Sequence, residues 1–363
     1  MSRLFLHIEK WRADYGRAFA FTQGNMVVLC LCDFGVAREF CQCKSAEFGR
    51  SACLRKNMGI LMGYDSIVSS KRKSWALQRK IIAPEFFNDK IKGMVDMMVE
   101  SVIPVLEKWE SQMEEAGGVA SVRIDEDLKS LSAEMISKAC LGSNYIIGSE
   151  IFYKMLVIQD LQSKQQAIVV HNFGCGLSVI VDNCKATLLA GNETTWQEHI
   201  RAEVVEILGN QAPNMDKLHK MKLLNMMIYE TLRLYSPGPF VMRETSEEMK
   251  FGDFVSPKGV NVWLSSLLHQ DQANWGDNAQ SSIQKGLQMA FLRCARIRIC
   301  SCLLGPGIHT CVGQNFAMTE LKMVLSLVLS KFIFSLSPEH KHLVTYKLFY
   351  EPVHGVQLKM EKI

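Results

Sequence analysis

Apolar residues recur at steps of three and four between residues 91 and 106, and this spacing constrains the fold more than any other feature. The positions are Ile91, Met94, Val95, Met98, Val99, Val102 and Leu106. Such spacing places the side chains along one face of an α-helix. Residues 220–236 and 315–336 repeat the helical pattern, and strands are predicted within 24–33 and, about a turn at Pro257–Gly259, within 249–264. The sequence therefore predicts a mainly α fold with small β-sheets.

The composition supports one domain over residues 1–363. The chain is 48% hydrophobic and 21% charged, which is ordinary for a globular protein. The net charge of +4 is too small to indicate nucleic acid as a partner. No apolar run reaches the roughly 18–20 residues that a membrane-spanning helix needs. As given, the chain is expected to be soluble or attached to a membrane only at its surface.

Twelve cysteines need a chemical explanation. No Cys-x-x-Cys pair is present, so the commonest zinc and redox spacings are excluded. The absence of Cys-x-x-Cys-His also excludes covalent c-type heme attachment. Because free cysteine is among the most buried residue types, most of these thiols are expected to be reduced and buried.

Cys311 differs from the other cysteines in its surroundings. Gly307 allows a tight turn before it, and Gly313 lets the backbone approach a flat group closely. A helix predicted to start near Gly313 would point its positive dipole end at the thiol, lower its pKa and favour the thiolate. A thiolate in such a loop suits an axial ligand of heme iron. Considered alone, Cys311 could equally be a buried, inert cysteine.

Three further pairs or segments could carry chemistry. Glu230 and Arg233 stand three residues apart among apolar neighbours, which favours a buried ion pair over a surface pair. In "AGNETT", residues 190–195, Glu193 and Thr194 could deliver protons, although a capped helix end explains the segment as well. Trp75 and Arg79 lie four apart, so one helix face could hold an anion or carry a surface cation–aromatic pair.

Together these motifs resemble the cytochrome P450 family of heme-thiolate monooxygenases. The segments 190–195, 230–233 and 307–313 occur in the order that the family uses. The segments "HQDQANWGD", "RKIIAPEFF" and "LRLYSPGPF" are similar to plant members that oxidise terpenoids, including the gibberellin-oxidising branch. The resemblance covers roughly residues 8–160, 178–278 and 304–363. It implies the cytochrome P450 fold, here incomplete.

The resemblance also implies a role for each motif. Cys311 is the expected thiolate ligand of the iron of heme b, and Thr194 with Glu193 is expected to protonate iron-bound dioxygen. Glu230 and Arg233 are the expected structural pair behind the heme. The remaining expected cofactor-binding residues are Trp75, Arg79, Arg243, His309, Gly307 and Gly313.

The implied reaction inserts one oxygen atom into an unactivated C–H bond of a small lipophilic substrate, which the resemblance to these plant members implies is terpenoid or gibberellin-like. Electrons are expected from NADPH through a separate flavoprotein reductase, and the basic run "SKRKSWALQRK" is a candidate surface for it unless it is simply solvated. The family resides at the cytoplasmic face of the endoplasmic-reticulum membrane. Without the family's N-terminal anchor in the given sequence, the chain is expected to be soluble or peripheral.

Several segments depart from the family pattern. Leu304 stands where the family has phenylalanine, and His309 stands where it has a propionate-binding arginine. A neutral imidazole does not replace a charged guanidinium fork. Residues 279–303 lack the expected Pro-x-Arg-Phe-type motif, and residues 278–319 contain no acidic residue, which suggests a shifted frame or mis-splicing. Deletions are expected near 160–180 and after 195.

Three functions therefore stay open. The chain is a heme-dependent monooxygenase, working or impaired. Alternatively, it is a non-catalytic remnant, such as a pseudogene product or an interaction fragment without a working heme pocket. A heme-thiolate isomerase that needs no reductase is a third possibility, which the acid-Thr-Thr signature disfavours.

Overall fold

A computed structural model describes most of the chain. The described residues are 6–142, except 46–47, 53–54, 56–58, 60–62 and 71, short pieces between 147 and 158, and then 194–209, 211–234, 240–265, 307–341, 344–346 and 350–363. The anomalous segment 279–303 and the expected deletion near 160–180 lie outside this part of the chain.

Ten α-helices lie in the described residues. They are α1 (Leu6–Tyr15), α2 (Phe34–Gln42), α3 (Arg72–Ile82), α4 (Asn88–Lys92), α5 (Val95–Glu115), α6 (Asp125–Leu141), α7 (Thr194–Leu208), α8 (Met215–Lys220), α9 (Lys222–Leu234) and α10 (Gln314–Lys331). Two 3-10 turns, Ala83–Phe86 and Gly307–His309, precede α4 and α10.

Twelve short strands form four small sheets in the same residues. They are β1 (Ala18–Gln23), β2 (Met26–Leu31), β3 (Phe48–Gly49), β4 (Val119–Arg123), β5 (Phe240–Thr245), β6 (Met249–Phe251), β7 (Phe254–Ser256), β8 (Asn261–Ser265), β9 (Phe332–Leu336), β10 (Val344–Tyr346), β11 (Tyr350–Pro352) and β12 (Gln357–Lys362). The largest sheet has the order β1-β2-β8-β5-β3, and only its β2–β8 pair is parallel. The remaining sheets are β4-β12-β9, β6-β7 and β10-β11. The predicted mainly α fold with small sheets is confirmed.

The periodic apolar face of residues 91–106 forms the centre of the helical core. Ile91, Val95, Met98, Val102 and Leu106 are buried in one cluster with apolar residues of α6, α7, α9 and α10. The pattern does not form a single helix, because Gly93 ends α4 and α5 begins at Val95. Burial of this face removes apolar surface from water and so stabilises the bundle.

A second apolar cluster fills the space around the five-stranded sheet. It contains Val28, Leu31, Phe240 and Trp263 from three neighbouring strands, and α2 covers it with Phe40. Residues 249–264 contain three strands, where two were predicted. Gly252, with a φ of 60°, turns β6 into β7, and the turn at residues 257–259 then leads into β8 of the larger sheet.

The described cysteines follow the expected pattern only in part. Cys30 and Cys32 are buried free thiols, Cys43 and Cys311 are half-buried and Cys140 is exposed. Cys41 is disulfide-bonded, with its partner outside the described residues. Among the described helices, none is both long and apolar enough to cross a bilayer.

Candidate functional site

Cys311 lies in the short loop that joins the 3-10 turn Gly307–His309 to α10. Its carbonyl accepts a hydrogen bond from the Gln314 N–H at 3.3 Å, which closes the loop onto the helix start. Gly313 is the residue before α10, and a Cβ added there would meet the Phe86 ring only at ordinary contact distance. The protein's own packing therefore does not require glycine at 313.

The electrostatic environment of Cys311 differs from the one expected from the sequence. Burial raises the pKa of the thiol, and the Gly313 N–H and the charges of Arg79 and Arg50 only partly oppose it. The predicted lowering of the pKa is therefore wrong for the free thiol. The helix start does supply a favourable N–H, but it cannot offset the loss of water around a buried sulfur.

Helix α3 presents Trp75 and Arg79 to this loop, as their four-residue spacing predicts. Trp75 is buried, and its ring centroid lies 4.3 Å from that of His309, with the ring planes inclined at 50°. Arg79 Nη1 donates a hydrogen bond to the carbonyl of Thr310, the residue before Cys311. The two side chains thus hold the two residues before the cysteine against α3.

Two further arginines are buried beside the loop. Arg243 lies on β5, where it is 1% exposed, and Arg50 directly follows β3 and is 6% exposed. Burial, together with the charge of Arg50, lowers the pKa of Arg243 to about 9. Burial also lowers the pKa of Arg50 to about 10, and Arg79 adds to this effect. The buried guanidiniums repel one another. A bound anion would relieve this repulsion and would itself be stabilised by the positive charges.

Arg50 was not identified from the sequence. It follows the two-residue strand β3, whose register with β5 pairs Gly49 with Glu244 and so brings Arg50 next to the strand that carries Arg243. No motif around residue 50 indicates this pairing, because the two strands lie far apart in the chain.

His309 completes the cluster as a neutral residue. Burial and the charges of Arg243, Arg50 and Arg79 lower its pKa to about 2, an effect that a backbone group of Phe48 offsets only slightly. Both ring nitrogens are buried without a hydrogen bond of normal geometry. Unpaired buried polar atoms beside three cations fit a bound group that carries carboxylates. With a thiol in the adjacent loop, the donor set fits heme b.

Glu230 and Arg233 form the expected ion pair on α9. Arg233 donates to both carboxylate oxygens of Glu230, Nε to Oε2 at 2.8 Å and Nη2 to Oε1 at 2.6 Å. The side chains are only 2% and 3% exposed. This two-bond geometry is the one in which a buried ion pair is best compensated.

Thr194 lies at a position that does not fit its expected role. It is the first residue of α7, which runs antiparallel to α10. Gln197 exchanges hydrogen bonds with the backbone of Phe334, and Arg201 donates to the carbonyl of Leu329. The start of α7 is therefore at the opposite end of α10 from Cys311. With 18 residues in α10, the two ends are about 25 Å apart. Glu193 lies outside the described residues.

Comparison with known proteins identifies the family. The sequence profile of the cytochrome P450 family matches residues 2–170, 188–283 and 304–360. Cytochrome P450 714B3 of Zea mays is 35% identical, over 98% of this chain and 80% of its own length. Cytochrome P450 714B2 of Oryza sativa subsp. japonica is 36% identical, over 98% and 79%. Cytochrome P450 714A2 of Arabidopsis thaliana is 31% identical, over 99% and 84%.

The profile match includes the Cys311 loop, the Glu230–Arg233 pair and α3. Heme b is the cofactor of this family and monooxygenation is its reaction. The chain belongs to the cytochrome P450 family of heme monooxygenases, and its relatives are plant proteins.

Proposed function

We propose that Cys311 is the thiolate ligand of the heme iron and that Arg50, Arg79 and Arg243, with Trp75 and His309, hold the heme carboxylates. The observation that carries this proposal is the cluster of three buried or half-buried guanidiniums around the Cys311 loop, in which burial, together with the charge of a neighbouring arginine, lowers the pKa of Arg50 and of Arg243. Two carboxylates would relieve this repulsion and would accept hydrogen bonds from the guanidinium forks.

Each of these residues has a separate task in the proposed site. When bound, heme b supplies the iron at which dioxygen is activated for insertion of one oxygen atom into a C–H bond. Cys311 would provide the sulfur that binds the iron, and Arg79 fixes the loop through the Thr310 carbonyl. Trp75 covers His309 on one side and excludes water from its buried ring nitrogens. Gly307 begins the 3-10 turn before the cysteine, and Gly313, which the protein's own packing does not require, would let the heme approach the backbone closely.

The redox partner that we propose is an NADPH-dependent flavoprotein reductase. Its surface on this chain is the outer face of α3, where Lys73 and Lys80 are exposed next to the exposed apolar side chains Leu77 and Ile81. Lysines around an apolar centre complement an acidic protein surface.

The substrate that we propose is a small lipophilic molecule of terpenoid type. The site of action that we propose is the cytoplasmic side of the endoplasmic-reticulum membrane.

A non-catalytic remnant is the second candidate function. It would follow if the single domain has lost the segments expected to be missing near 160–180 and after 195. The displacement of Thr194 supports the remnant, as does the profile match, which omits residues 171–187 and 284–303. The alignment with the Zea mays relative spans 426 residues, more than the 363 of this chain, so gaps open within it. Loss of the segment after residue 195 explains why Thr194 begins a structural helix.

The two functions are separated by reconstitution of the full chain with hemin and measurement of the reduced carbon monoxide spectrum. A thiolate-type spectrum supports the heme protein, and its absence supports the remnant. If heme binds, reductase and NADPH are added, and NADPH consumed, hydrogen peroxide and oxidised terpenoid are measured. We expect most electrons to be lost as peroxide, since α7 places Thr194 at the opposite end of α10 from Cys311. Product in near-equal proportion to NADPH would contradict this expectation.

Replacement of Thr194 by alanine is expected to leave the heme spectrum and the ratio of peroxide to NADPH unchanged. The reason is that α7 places residue 194 beyond the far end of α10. The reconstituted assay measures the ratio directly, and Arg79→Ala, which removes a proposed heme contact, is the positive control. A several-fold rise in peroxide in Thr194→Ala would return this residue to the reacting side of the heme.

A further inference from the structure

Glu320 is an acid in the helical core for which the proposed heme site has no use. It lies on α10, nine residues after Cys311, and is 1% exposed. Its Oε2 atom is buried without a hydrogen bond. Its neighbours along the helix, Phe316, Leu321 and Val324, are buried apolar residues of the main core. An ionised carboxylate in such surroundings is strongly disfavoured unless it is compensated.

Among the described residues, Ser132 on α6 is the one polar group that acts on the pKa of Glu320. Ser132 is itself buried, and its Oγ makes no hydrogen bond of normal geometry. It opposes the effect of burial on Glu320 only in part. The two groups therefore leave an unsatisfied polar spot between α6 and α10, of the kind that internal water or a carboxylic acid proton fills.

The charged groups of the surrounding helices are engaged elsewhere. On α7, Glu203 accepts hydrogen bonds from the first N–H groups of α9, and the charge of Glu203 acts on Lys322 of α10. On α6, Lys138 pairs with Glu134.

The remaining helices repeat this pattern. On α5, Lys108 pairs with Asp127 and Glu110 pairs with Lys331. On α8, Asp216 pairs with Lys92 of α4, and Lys217 donates a hydrogen bond to the Leu208 carbonyl. On α9, Glu230 pairs with Arg233. None of these charges contributes to the pKa of Glu320.

Burial raises the pKa of Glu320 to about 8 from the ordinary value near 4.5. An acid whose pKa is higher in the folded state binds more protons there than in the unfolded state. Its contribution to stability is therefore complete below about pH 4.5 and is lost as the pH rises through about 8.

We propose that Glu320 is a pH-sensitive contact between α6 and α10, closed when the acid is neutral and loosened when it ionises. The neutral acid donates its proton in the polar space beside the Ser132 hydroxyl. This contact holds α10 against α6 at that point. The ionised acid must reach water, and α10 must move to let it do so. Because α10 begins at the Cys311 loop, its movement also loosens that loop. The contact belongs to the helical core and does not require that heme binds.

The test is urea unfolding of the full chain at pH 5 to 9, with Glu320→Gln compared with wild type. One proton gives at most about a tenfold fall in the ratio of folded to unfolded chain for each pH unit. We expect this fall in wild type and a clearly flatter curve in Glu320→Gln. Glu107→Gln, which changes an exposed acid on α5, is the matched control and should follow wild type. Equal slopes in wild type and Glu320→Gln would overturn the proposal.

A second measurement uses the wild-type chain alone, in case Glu320→Gln does not fold. Amide hydrogen exchange is compared at pH 7 and pH 9 after correction for the intrinsic rates. The proposal predicts an additional loss of protection in α6 and α10 above that in α9. A uniform loss across the three helices, or none, would contradict it.

Discussion

Replacement of Cys311 by serine is expected to abolish the thiolate-type spectrum of the reduced carbon monoxide complex. A serine hydroxyl keeps the size of the side chain but does not supply the soft, anionic sulfur on which that spectrum depends. Even substitutions outside the first ligand shell of a metal site weaken affinity about 10–100-fold. Loss of the ligand itself should therefore lower heme retention at least as much, measured by gel filtration of the reconstituted chain.

Two other cysteines provide controls for this result. Cys43 is a half-buried thiol that packs on the same apolar cluster as Cys311 and acts electrostatically on Arg243. Cys302 is near in sequence and lies outside the described residues. Cys43→Ser and Cys302→Ser should both retain the spectrum. If Cys302→Ser removes it while Cys311→Ser keeps it, the assignment of the ligand is wrong.

Those features that depend on local spacing could be predicted from the sequence. The apolar steps of three and four residues indicate the buried face of α4 and α5, because residues three or four apart lie on the same face of an α-helix. The same reasoning places Trp75 beside Arg79 on α3 and Glu230 beside Arg233 on α9. Apolar residues around the second pair indicate its burial, since a helix that is apolar on most sides lies inside the protein.

Features that depend on distant parts of the chain could not be predicted. Arg50 joins the site only because β3 pairs with β5, and the pKa of Cys311 rises only because the folded chain excludes water from its sulfur. Glu320 has no sequence signal at all, since an acid in a helix is usually exposed. The position of Thr194 depends on which helix contains it, and the motif "AGNETT" does not specify that.

Replacement of Glu230 by alanine is expected to destabilise the fold by about 3–5 kcal/mol, whether or not heme is bound. The loss comes from the guanidinium of Arg233, which stays buried on α9 without the two oxygens that accept its hydrogen bonds. Typical domains are stable by only about 5–15 kcal/mol, so soluble yield should fall sharply. Urea unfolding of the purified chain measures the change in the free energy of unfolding.

Two comparisons show that the loss comes from the buried charge. Glu126 and Arg123 are also three residues apart, at 3.4 Å, but are exposed, so Glu126→Ala should cost only about 0–1 kcal/mol. The double variant Glu230→Ala/Arg233→Met removes the buried charge that has lost Glu230 and should recover most of the loss, because apolar residues often replace a buried pair at little cost. If Glu230→Ala is as mild as Glu126→Ala, water reaches the pair. If the double variant is no better than the single one, packing around the carboxylate is what the fold needs, and the charge of Arg233 is compensated by another group.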